Sequence, residues 1–244
     1  MRLENIVWGA RNPHRLGTFW AAALGAEVTT DDGTGLEAHL DLGGGAFLDL
    51  CFQPVGEPPS SPPRLHLDLT GGDRQGEVVQ RLIGLGARPA DIGQGDVPWV
   101  VLADPEGNAF CVMEQRSAYV GTGPIAALPL DSADPERDAE FWSAITGWVR
   151  ADGHAPASLR HPAGVGPLLE LCPEPKPKQG KGLIHLDVRP APGDPDAVSV
   201  IRRLGGETID WPGAEGQPWT VCADPSGNEF CVLAPHGGAA FLPG

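Results

Sequence analysis

One stretch of this chain is written twice, and that fact constrains the fold more than any other. Pro98–Val112 reads PWVVLADPEGNAFCV, and Pro218–Val232, 120 residues later, reads PWTVCADPSGNEFCV. Each copy is an apolar run, a turn and a second apolar run. Proline presets φ for the turn, glycine permits positive φ and asparagine tolerates the left-handed region. Each copy therefore predicts a β-hairpin. Self-similarity at so long a period means two domains rather than one large one, and halves of this size can each bury a core without staples.

The rest of the chain repeats with the hairpin. Asn12-Pro13 and Asp134-Pro135 are N-cap and first-turn pairs. Phe19-Trp20 and Phe141-Trp142 follow them on apolar helical faces, with Trp20 and Trp142 expected in the core. Leu48–Cys51 matches Leu168–Cys172, and the glycines at 43–45 predict a strand connection. The strand Arg64–Leu69 alternates with a period of two, so His66 and Asp68 share a face. Ile184–Val188 repeats that His-x-Asp pattern with His185 and Asp187. Two further helices carry Val78–Leu85 and Val198–Leu204. The resulting division is a first domain at 1–116, a linker at 117–123, a second domain at 124–236 and a loosely held tail at 237–244. Residues 57–63 read as a surface loop. The loop with Lys176, Lys178 and Lys181, the chain's three lysines, reads as a solvated connection.

Composition excludes several functions. A net charge of −15 argues against nucleic acid, whose phosphates demand Lys and Arg, and against an anionic membrane surface. No apolar run reaches the length of a membrane span, and no signal peptide opens the chain. The five cysteines contain no CxxC pair, which points to reduced thiols in the cytoplasm. The acidic balance favours a cationic or neutral ligand over an anionic one.

With the Asn/Asp-Pro helix start, its Phe-Trp pair, the His-bearing strand and the Asp-Pro-x-Gly-Asn hairpin in place twice and in order, the chain resembles the vicinal oxygen chelate superfamily. That superfamily holds the glyoxalases, bleomycin-resistance proteins and extradiol dioxygenases. The resemblance implies an α+β fold of two tandem glyoxalase-like domains. Each is a pair of βαβββ modules forming a curled mixed sheet around a cup. Fold alone does not settle function, because the superfamily spans enzymes and metal-free binding proteins.

The resemblance also implies a metal-ligand pattern, carried here residue by residue. The first half offers Asn5, Asp49, His66 and Cys111; the second offers Ala127, Glu170, His185 and Cys231. Cys stands in both halves where metal-dependent members carry Glu, and Ala127 cannot ligate, which marks the second half as the degenerate one. The leading expectation is therefore a small-molecule-binding protein without a cofactor, a sequestering protein for a drug or metabolite. Its ligand-contacting residues are Asn5, Asp49, His66, Trp99, Cys111, Glu170, His185, Trp219 and Cys231, with tryptophan stacking on the ligand; no catalytic residue is assigned. Trp8, Trp148 and Trp211 occur in one half each. The alternative is a lyase, isomerase or dioxygenase with Zn, Ni, Fe or Mn on His66 and Asp49, Cys111 tilting the preference to Zn. A third use of Cys beside His and a carboxylate is an activated thiolate, against which stands the habit of strand cysteines to behave as small hydrophobes. The fused domains suggest a monomer that pairs internally.

Overall fold

The computed structural model describes residues 1–56, 63–210 and 216–235. Most of the 57–63 loop, Trp211 and the tail at 237–244 lie outside the described residues. Four βαβββ modules follow one another. The first is β1 (Arg2–Ala10), α1 (Pro13–Leu24), β2 (Glu27–Asp32), β3 (Gly35–Gly43) and β4 (Ala46–Pro54). The second is β5 (Asp68–Gly72), α2 (Gln75–Leu85), β6 (Arg88–Pro89), β7 (Val100–Ala103) and β8 (Ala109–Glu114). A 3₁₀ turn at Ser117–Tyr119 leads to the third: β9 (Ile125–Ser132), α3 (Pro135–Thr146), β10 (Val149–Arg150), β11 (Ala157–Arg160) and β12 (Leu168–Pro173). The fourth is β13 (Ile184–Arg189), α4 (Ala197–Arg203), β14 (Glu207–Thr208), β15 (Trp219–Ala223) and β16 (Glu229–Leu233).

The local signals act as the sequence predicts. Asn12 and Asp134 accept hydrogen bonds from Arg15 N and Arg137 N, at 2.9 and 3.2 Å, and cap α1 and α3. Gly25 and Gly147 end those helices at φ 72° and 73°, a conformation costly for any residue with a Cβ. Both long repeats fold as the antiparallel hairpins β7/β8 and β15/β16. The His66 strand is shorter than its alternation suggests: only Leu65 makes an isolated bridge, to Leu130, before β5 begins at Asp68.

Two open eight-stranded mixed sheets result. Sheet I runs β14-β15-β16-β13-β1-β4-β3-β2, and sheet II runs β10-β11-β12-β9-β5-β8-β7-β6. The fold is the expected pair of glyoxalase-like domains, but each sheet takes one module from each half of the sequence. Sheet I joins the first and fourth modules through β1 and β13; sheet II joins the second and third through β5 and β9.

Within each half, the helical side holds the modules together. Trp20 of α1 lies 5.0 Å from Phe110 of the second module, and its Nε1 donates to Asp104 Oδ2 at 3.2 Å. Trp142 of α3 repeats this with Phe230 at 5.3 Å and Asp224 at 3.1 Å. Asp224 also accepts from Ser226 N, Asn228 N and Asn228 Nδ2, so one carboxylate closes the hairpin turn and pins a helix. A continuous apolar core, including the stacked Trp8 and Phe52, lies between helices and sheets. It leaves the opposite face of each sheet available for a cup.

Candidate functional site

Strand alternation decides what sheet I presents on the face away from its helices. On β4, Leu48, Leu50 and Phe52 enter the core, so Asp49, Cys51 and Gln53 point the other way. On β13 the same rule selects His185, Asp187 and Arg189; on β16 it selects Glu229 and Cys231. These strands enclose a cup of about 330 Å³ with Asn5, His185, Asp187 and Cys231 on its floor and Trp219 and Lys181 at its edge.

The floor is a connected polar group. Asn5 and Asp187 are register partners across β1 and β13, and Asn5 Nδ2 donates to Asp187 Oδ2 at 3.0 Å. His185 Nε2 lies 3.3 Å from Asp187 Oδ1 and 3.5 Å from Cys231 Sγ. Burial pushes the Cys231 thiol up, and the Asp187 charge adds to that shift. Burial and the neighbouring carboxylate thus both work against a thiolate at this position. Arg189 is held by the buried Glu4, whose Oε1 accepts from Arg189 Nε at 2.6 Å. Lys178 pairs with Glu229, and Lys181 lines the cup with its pKa lowered by burial. The lysine loop is largely exposed, as predicted from its composition, but it is not only a connection: Lys178 pairs with the cup-lining Glu229 and Lys181 stands at the cup's edge.

Sheet II carries the same pattern on a filled face. His66 Nε2 is 3.5 Å from Asp68 Oδ1, and Cys111 completes the trio. Over this face lies Tyr119, the chain's single tyrosine, 6% exposed and packed with Cys111, Met113, Ala126, Ala127 and Leu168. Its hydroxyl donates to Glu170 Oε2 at 3.3 Å, and Glu170 Oε1 accepts from His154 N at 2.8 Å. Burial raises the Glu170 pKa. Thr122 Oγ1 donates to Tyr119 O at 2.8 Å and Arg160 Nη2 to Val120 O at 3.1 Å, which fixes the turn. Trp99 stands at the edge, donating to Gln94, with the Arg116 guanidinium between it and Tyr119. The segment predicted as a plain linker is the plug of the second cup.

These placements correct the predicted donor sets. Asn5 and Asp49 share sheet I with His185 and Cys231, whereas His66, Cys111, Ala127 and Glu170 share sheet II. His66 and Asp49 therefore cannot hold one ion, because strand pairing puts them on different sheets. Asp49 instead meets His39, with Nδ1 and Oδ1 2.6 Å apart. The degenerate unit is a sheet made from both halves, not the second half. Nor do the residues of the open cup fit the four-donor centre implied by the resemblance. The Asn5 carboxamide is engaged with Asp187, Asp49 with His39, and Cys231 replaces the carboxylate.

Cys51, Arg189 and Glu37 also line the open cup and were not singled out from sequence. The first two were legible by alternation, each two residues beyond a residue that was. Lys181 and Tyr119 sit in loops, where no periodicity reports direction.

The glyoxalase-like domain family matches residues 5–113 and again 127–233, and the chain belongs to that family. Among solved structures it is similar to glyoxalase I from Zea mays, with 17% identity, 96% of this chain and 92% of that one covered, and a TM-score of 0.63. A putative dioxygenase from Bacillus subtilis is similar over 99% of this chain and 87% of that one, with 16% identity and a TM-score of 0.57. Among curated proteins no significant match is found. At such identities the structural likeness speaks for the fold alone.

Proposed function

We propose that this protein binds one small organic molecule in the cup of sheet I, as a sequestering protein rather than an enzyme. The observation that carries this reading is the difference between two otherwise repeated cups. One is open, at about 330 Å³, a size suited to a small ligand; the other is filled by Tyr119. Trp219 supplies a flat apolar wall in the open cup, and the Asn5–Asp187–His185 floor supplies directional polar contacts. Acceptors and donors of both signs line it, which suits a neutral or zwitterionic planar molecule. The reading takes the chain as a cytoplasmic monomer whose pairing is internal, with no nucleic-acid or membrane partner. Among the described residues, no helix is long and apolar enough to cross a membrane.

Calorimetric titration with a panel of planar aromatic compounds, in chelator, tests this. The expected result is one molecule per chain, at least tenfold weaker binding in Trp219→Ala, no effect of Trp99→Ala, and recovery of the compound unchanged. Chemical conversion of the compound, or loss of binding in Trp99→Ala with Trp219→Ala unaffected, sinks the reading.

A further inference from the structure

We propose that the open cup continues into a subsite for an organic ammonium group, formed by Glu37 and Trp219. Its ligand is then a zwitterion, with a planar body in the cup and a cationic arm reaching Glu37. This rests on the small-molecule reading of the cup and names the class of molecule.

Three observations carry it. First, the cup is not the whole of the open space. A second space of about 360 Å³ adjoins it, and Glu37, Cys51, Gln53 and Trp219 line both. A molecule longer than the cup therefore has somewhere to extend. Second, Glu37 is the only charged residue among the described ones that line this second space. On β3, Leu36, Ala38 and Leu40 enter the core, so Glu37 points to the other face, paired in register with Cys51 of β4. Burial, and next the Glu37 charge, push the Cys51 thiol up, which reports how near that charge stands. Among the described residues the Glu37 carboxylate has no hydrogen-bond or ion-pair partner. The charges of the cup itself are engaged: Asp187 with Asn5, Glu229 with Lys178 and Arg189 with Glu4. Third, the chain shows the same recognition in its other cup. Trp99 is the repeat counterpart of Trp219, and the Arg116 guanidinium lies over its ring, 5.5 Å from the centroid, while pairing with Glu114. A cation over an indole face is held by the ring quadrupole. Among the described residues no cation lies over Trp219. The ligand's ammonium takes there the place that Arg116 takes on Trp99.

The remaining charge fixes the ligand's direction. Lys181 lines the cup but not the second space, and Glu37 lines both. A zwitterion is therefore oriented, with its acidic group on the Lys181 side and its ammonium between Glu37 and Trp219. A neutral compound gains from neither charge. Glu37 is exposed, so the preference for the charged arm is that of a surface ion pair and one cation–π contact, about fivefold in affinity.

Calorimetric titration of the full chain with two probes tests the proposal: a naphthoic acid carrying an aminopropyl arm, and its hydroxypropyl isostere. The expected result is that the wild type binds the amine about fivefold more tightly. Glu37→Gln should bind both probes alike, holding the hydroxyl probe as the wild type does. Glu27→Gln, which removes an exposed carboxylate of β2, should keep the preference. Circular dichroism melts of each variant separate lost binding from lost folding. Equal affinity of the two probes for the wild type, or a preference kept in Glu37→Gln, overturns the subsite and leaves the small-molecule reading of the cup standing. Binding of neither probe overturns the zwitterion class, and the panel of planar compounds then decides the reading of the cup separately.

Discussion

Removing the Tyr119 ring is the perturbation that most directly separates the two cups. A buried aromatic side chain hides about 150–250 Å², and at roughly 25 cal/mol per Å² that is about 4–6 kcal/mol of transfer free energy. Tyr119 is 6% exposed, so nearly all of it is at stake, and large-to-alanine changes of aromatic side chains run at about 3–5 kcal/mol. Tyr119→Ala should therefore cost about 3–4 kcal/mol, because the exposed turn around it can relax. Tyr119→Phe keeps the ring and loses the hydroxyl's contacts, the 3.3 Å hydrogen bond to Glu170, which retains His154 N at 2.8 Å, and the one with Arg116. That change should cost about 0.5–1 kcal/mol. Urea midpoints measure both. The same proteins titrated with a planar apolar fluorophore should show one bound molecule in the wild type and Tyr119→Phe, and two in Tyr119→Ala. A Tyr119→Ala variant within about 1 kcal/mol of wild type that still binds one molecule would refute the plug.

Burial pushes the Asp224 carboxyl up to about 6. Being raised, it contributes stability that is complete below its unfolded value near 4 and lost as pH rises through about 6. Asp224→Asn lacks that term, so the urea-measured gap between wild type and variant should be larger at pH 5 than at pH 7.5 by about 1.4 kcal/mol; an unchanged gap contradicts it. Expressed alone, residues 1–116 leave β1 without β13 and β5 without β9, and should dimerise through those two edges. A folded monomer of that fragment in light scattering contradicts the cross-half pairing.

Sequence alone carried the fold far, because the signals were local and doubled. The Asn12 and Asp134 caps, the αL glycines and the Asp-Pro-x-Gly-Asn turns each act within a few residues, and each stands where its chemistry requires. The candidate site was half legible. His185, Asp187 and Cys231 share a face by strand alternation, and the structure brings them together. The choice of partner module was not legible: β1 pairing with β13 rather than β5 is a long-range choice between near-identical edges. Lys181 and Tyr119 were missed because a loop side chain's direction depends on what it lands on. The lysine spacing looked like a solvated charge run, and a lone tyrosine in a linker carries no pattern.

The inequality of the cups follows from connectivity. A tandem repeat has one junction between its halves, and here that junction joins β8 to β9. Both strands flank β5 in sheet II, so the connecting turn crosses sheet II and not sheet I. Whatever side chain the turn carries inward must fill that sheet's cup. Tyr119 packs there against Cys111, Met113, Ala127 and Leu168 and reaches Glu170, while Ala127 stands opposite Asp68 where Asn5 stands opposite Asp187 on sheet I. On sheet I no such crossing occurs, and there Asn5 donates to Asp187 on the cup floor. One cup stays open because the segment that links the halves fills the other.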